Sequence, residues 1–124
     1  MNKVLAVAIG GSLGAVLRYE AQGWIQNRLG ASFPYGTFIV NISGAFLIGV
    51  LMTIFLDRVE VSPEWRLFLV VGILGGYTTF SSLTWEAYQL FASGSVYQGC
   101  LYMGGSFIGG MAAVLAGVFL GRVI

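Results

Sequence analysis

Residues 75–83 read GGYTTFSSL, two glycines and a run of hydroxyl residues inside a stretch that is otherwise apolar enough to lie in lipid. Hydrocarbon offers a backbone no water, so a weakened helix at that depth needs protein partners or a cavity. Gly75 and Gly76 each weaken a helix by about 1 kcal/mol relative to Ala, and Tyr77, Thr78 and Thr79 follow before apolar helix resumes. The pattern predicts a helix broken near residues 75–79. Breaking it frees carbonyls at the end of the first half and amides at the start of the second, which suit a cation and an anion respectively. If two copies met there about a twofold axis, carbonyls from both would form an oxygen cage suited to sodium. The alternative is a continuous helix whose threonine hydroxyls bond to their own preceding turn.

The chain around this stretch has 124 residues, 57% hydrophobic and 9% charged, with no histidine. That composition lies outside the range of soluble domains and indicates an all-α integral membrane protein. A net charge of +1 without a basic run excludes the footprint of a nucleic-acid binder. Cys100 has no intrachain partner for a disulfide and no ligand spacing for a metal, and reads as packing. There is no histidine for general-base work, no phosphate loop and no zinc spacing, so catalysis is not expected.

Crossing the hydrocarbon takes about 20 residues, and the charged residues divide the chain into four spans at about 3–28, 35–56, 65–92 and 96–122. The first, with Lys3 ahead of it, reads as a transmembrane helix and not a cleaved signal, because its apolar pattern passes Arg18 toward Trp24. Short polar breaks and the absence of repeats predict one transmembrane domain over 1–124. An even number of spans places Lys3, Arg58, Arg66 and Arg122 on one face, with Arg28 and Arg18 on the other, a weak bias toward internal termini. Nineteen glycines include pairs four apart, such as Gly10 with Gly14 and Gly72 with Gly76, which let helix backbones approach closely.

Polar residues in the other spans supply candidates for an ion path. Thr37 and Asn41 share a helix face, and an asparagine inside a span acts either as interhelical glue or as an NH2 donor to an anion. Tyr102, Ser106 and Gly110 form a stripe whose hydroxyls either line a path or bond neighbouring helices. Phe80 is either packing or an aromatic whose positive ring edge faces an anion. Arg18, Glu20 and Glu86 read as snorkelled ions near helix ends. Donors without deep charges suggest gentle solvation of a small anion, because conduction requires release as well as entry.

Taken in order, "GGSLGAVLRY", "GTFIVN", "GGYTTFSS", Glu86, and Tyr102 with Ser106 resemble the small bacterial fluoride channels called Fluc or CrcB, over nearly the whole chain. The resemblance implies a dual-topology antiparallel dimer of four-helix subunits in the bacterial cytoplasmic (inner) membrane, with two fluoride pores and a central structural sodium ion. It implies that Asn41 and Phe80 contact fluoride, that Thr37, Tyr102 and Ser106 belong to the polar path, and that the carbonyls of Gly75 and Thr78 hold sodium. Arg18 and Glu86 match further polar positions of the family. The family pattern resembles TTFSTFS, whereas this chain reads "TTFSSLT", so Leu83 replaces the second phenylalanine and should weaken one fluoride station. Some members pair two related subunits, and a heterodimer with a paralogue stands beside the homodimer. From a different class, a proton-coupled small multidrug exporter would need a membrane-embedded carboxylate, for which Glu20 is the candidate in span one.

Overall fold

A computed structural model describes residues 2–124, all helices and connections. The elements are α1 (Lys3–Leu29), α2 (Tyr35–Asp57), α3 (Pro63–Arg66), a π-helical run (Leu67–Leu74), α4 (Gly75–Tyr77), α5 (Phe80–Ala92) and α6 (Val96–Val123). Taking 63–92 as one interrupted span, four helical segments among the described residues are long and apolar enough to cross a membrane. The expected span limits hold to within two residues.

Local chemistry sets the ends. Asn2 accepts from the amides of Val4 and Leu5 at 2.7 and 3.3 Å, satisfying orphan donors of α1. Gly30, at φ 97°, ends α1 in a conformation that side chains with a Cβ avoid. Ser62 caps α3 and Pro63 occupies its first turn, where a missing N–H costs nothing.

The interior is thin. Ala6, Val40, Leu74, Ala87 and Tyr102 are buried, while Val16, Phe107, Leu115 and Phe119 are exposed. Such a surface is stable against lipid, and close backbone contact does the work that water-driven burial does elsewhere. A methyl group on Gly117 would strike the Phe46 carbonyl oxygen, and one on Gly49 would lie 2.5 Å from that of Val114, so α2 and α6 touch backbone to backbone. They run in the same direction. Arg58, at the end of α2, donates to the carbonyls of Arg122 and Ile124 at the end of α6. Lys3 and Val4 share a groove with Leu67 beside the same loop, so both chain ends lie on one side.

The π-helical run was not legible in the sequence. Phe68 and Ile73, five residues apart, present their carbonyls to Gly10 and Gly14, four apart on α1. An i→i+5 repeat keeps those two carbonyls on one face, where an ordinary α-helix would rotate the second away. The glycines of the break also behave differently from their intrinsic preference. Gly75 and Gly76 stay helical, and the chain leaves the helix at Thr78 and Thr79, both extended.

Two further expectations change. Arg18 is not a snorkelled ion at a span end. It lies well inside α1 and donates Nε–H to the Gly76 carbonyl at 3.0 Å, at the depth of the break. Removed from the surface count, it leaves Lys3, Arg58, Arg66 and Arg122 against Arg28 alone. Cys100 is exposed on α6 and does not pack inside the chain.

Candidate functional site

The break is held open by side chains from two neighbouring helices. Thr78 turns its hydroxyl back to the Leu74 carbonyl at 3.0 Å, while Thr79 uses its own to accept from the Ser82 amide at 3.2 Å. Thr79 is therefore the N-cap of α5. Asn41 on α2 grips the backbone of Thr79 from both sides, its Nδ2 donating to the carbonyl at 2.9 Å and its Oδ1 accepting from the amide at 2.8 Å. This pair replaces helix hydrogen bonds that the extended residues cannot make.

Arg18 closes the other half. Its guanidinium meets the carbonyl end of the first half-helix, where the helix dipole favours a cation. The loop and cap bonds of the described residues do not engage the carbonyls of Gly75 or Thr78. Behind the break, a methyl on Gly44 would strike the Thr78 methyl, and Ser43 shares a 2.9 Å bond with the Tyr77 hydroxyl.

A 340 Å³ cleft opens at this point, lined among others by Asn41, Gly75, Thr78, Thr79, Phe80 and Leu83. It brings together three residues expected along an anion path and the two expected to hold sodium. Among the described residues, no charged side chain lines it. Phe80 is 76% exposed, so it is not core within this chain, and its ring stands at the cleft edge. Leu83 is half-buried in the same cleft.

The second group lies toward the Arg28 side. Glu86 accepts from the Thr37 hydroxyl at 3.1 Å and from the Tyr102 hydroxyl at 2.8 Å, so two of the three residues expected on the polar path meet on one carboxylate. Glu86 is thus bound on both oxygens instead of snorkelling freely. Thr37 and Tyr102 are fully buried, and Ser106, one turn further along α6, has a buried hydroxyl with no partner among the described residues. Glu86 also borders a 900 Å³ mouth lined by polar groups including Gln26, Ser32, Gln89, Ser93 and Gln98. Glu20 is exposed on α1 and belongs to neither cluster.

One participant was missed. Gln22 donates from Nε2 to the Thr37 hydroxyl oxygen at 2.6 Å. Arg18, Gln22 and Gln26 recur every four residues, a polar stripe along an apolar helix that the spacing rule would have found. Gln26 is used too, accepting from the Gly36 amide at 3.0 Å and donating to the Phe33 carbonyl at 2.9 Å. No group of three or more carboxylate, thiol or imidazole side chains that could hold a metal occurs among the described residues.

The chain matches a family model described as CrcB-like protein, Camphor Resistance (CrcB), over residues 5–118. It is 47% identical to a protein of Chloroflexus aurantiacus over 122 residues, 98% of this chain and 97% of that one. It is 48% identical to one of Solibacter usitatus over 120 residues, covering 97% and 98%, and 46% identical to one of Thermus thermophilus over 124 residues, covering 100% and 97%. Each of these relatives carries the name "Fluoride-specific ion channel FluC", which denotes conduction and not catalysis.

Proposed function

The chain belongs to the CrcB family, and we propose that it is a passive, fluoride-selective ion channel of the bacterial cytoplasmic membrane, folded as a single transmembrane domain. The observation that carries this reading is the uncharged cleft at a broken helix, with Asn41, Phe80 and Leu83 on its wall. Fluoride is small and strongly hydrated, so a path for it must return hydrogen bonds without holding it too tightly. An asparagine amide has two protons. In Asn41 one goes to the Thr79 carbonyl, and the second remains for an anion, so structural glue and ion donor are compatible roles. The first amides of α5 have no preceding turn within that helix and add partial positive charge at the same end. The ring edge of Phe80 offers a further weak electropositive contact.

The polar mouth, the Glu86 cluster, Ser106 and the cleft would follow one another along the path, with Thr37 and Tyr102 as hydroxyl donors. Loss of the second aromatic at Leu83 removes one ring edge while keeping bulk. The expected sodium fits the chemistry of Gly75 and Thr78, whose neutral carbonyl oxygens suit a hard cation. One chain supplies too few of them for a cage, so a second subunit would have to complete it. The family resemblance makes that second subunit antiparallel to the first, with two pores in the dimer.

With Arg18 out of the count, four cations stand against one. This bias favours termini in the cytoplasm and makes a related subunit of opposite orientation the natural partner, alongside a homodimer in which some copies invert. A proton-coupled exporter is less well supported, because Glu20 is exposed on α1 and belongs to neither cluster.

Expression in a bacterium stripped of its own fluoride export tests the reading. Wild type should restore growth in fluoride and Glu20→Gln should do so equally, whereas a well-expressed chain that gives no protection, alone or with a paralogous subunit, would refute it.

A further inference from the structure

We infer that Gln22 is a positioning residue of the ion path, whose amide sets the direction of the hydroxyl chain ending on Glu86. This rests on the channel reading above. The argument is one of proton count. A threonine hydroxyl has a single proton and can accept as well as donate. Gln22 Nε2 lies 2.6 Å from the Thr37 oxygen, and Glu86 Oε2 lies 3.1 Å from it on the other side. With the amide donating, the Thr37 proton is left for Glu86. Tyr102 delivers its only proton to the other carboxylate oxygen at 2.8 Å.

The chain therefore has one polarity, from Gln22 through Thr37 to Glu86, with Tyr102 arriving from the far side. It ties α1, α2, α5 and α6 together. Were the Gln22 carbonyl turned toward Thr37, the hydroxyl proton would be drawn to α1, and two acceptors would face each other at the Thr37–Glu86 contact. A buried pair of acceptors without a proton is costly, which makes the drawn direction the stable one. An anion crossing this region has to compete with Glu86 for the protons of Thr37 and Tyr102. Gln22 decides where the first of those protons points, and it shares a 300 Å³ groove with Thr37 and Glu86.

Reversing the chain tests this. Gln22→Glu puts an acceptor where the donor was, pulls the Thr37 proton away from Glu86 and sets two carboxylates about one hydroxyl. Glu86→Gln added to it restores the wild-type charge and supplies a new donor to the Thr37 oxygen, while its carbonyl still accepts from Tyr102. Each variant and wild type would be purified, reconstituted and assayed for fluoride efflux, with thermal unfolding followed on the same preparations in detergent. Gln22→Glu should lose about tenfold or more in efflux, the scale of one hydrogen bond to a charged group, and the double variant should recover most of it. It should also recover melting temperature relative to Gln22→Glu alone. A Gln22→Glu protein that conducts like wild type would overturn the inference, as would two single effects that simply add in both assays. If wild type releases no fluoride, alone or together with a paralogous subunit, the channel reading falls. The melting temperatures then decide the direction of the chain: recovery in the double variant supports it, and additive losses overturn it.

Discussion

Replacing Asn41 with Asp changes one NH2 group into an oxygen and leaves the shape of the clamp intact. The 2.9 Å bond to the Thr79 carbonyl becomes a contact between two acceptors, while the 2.8 Å bond from the Thr79 amide survives and gains from the charge. Losing a hydrogen bond costs about 1 kcal/mol, stranding the acceptor about 1–3, and the charge-assisted bond returns about 1, for a net loss of roughly 1–3 kcal/mol. The effect on conduction is larger. A negative charge about 4 Å from a passing anion repels it by about 4 kcal/mol at an effective dielectric constant of 20, close to a thousandfold in rate. Fluoride efflux from liposomes and unfolding in detergent measure the two effects separately. Acid offers an internal control on the second. A neutral acid can donate to Thr79 again, so the deficit should shrink as pH falls and grow as pH rises. Undiminished efflux from folded Asn41→Asp protein would refute the pore assignment, and a stability loss independent of pH would refute the clamp.

Arg18→Met removes both the bond to Gly76 and the cation at the end of the first half-helix. It should lower stability by about 1–3 kcal/mol in a detergent melt, with partial recovery in Arg18→Lys. Gly14→Ala sets a methyl against the Ile73 carbonyl oxygen and should cost roughly 1–3 kcal/mol, whereas Gly11→Ala, which meets nothing within 4 Å, should melt like wild type. Leu83→Phe returns a ring edge to the cleft and should raise fluoride efflux in the liposome assay while chloride stays excluded. Unchanged efflux would place that side chain off the path.

The membrane spans were legible because length and apolarity alone define a crossing, and the break was legible because GGYTTFSSL combines helix-weakening and hydroxyl residues at hydrocarbon depth. Where the helix ends was not. Its position depends on Asn41 engaging Thr79, a contact between residues 38 positions apart that no local preference encodes. The π-helical run depends likewise on two glycines of another helix. Arg18 was misplaced because it was read as lying near a helix end, where a charge snorkels, and only the tertiary structure provides the Gly76 carbonyl that retains it. For Phe80, exposure of the ring excludes packing within the chain, a distinction unavailable to spacing. Gln22 was overlooked although its four-residue interval from Arg18 and Gln26 was visible.

The most direct measurement is ion efflux from liposomes holding the purified wild-type chain, with valinomycin and a potassium gradient, read in parallel by fluoride and chloride electrodes. Rapid loss of fluoride with chloride retained is the result expected of a selective channel built at this cleft. Retention of fluoride by folded protein, both alone and together with a paralogous subunit, or equal release of both anions, would contradict it.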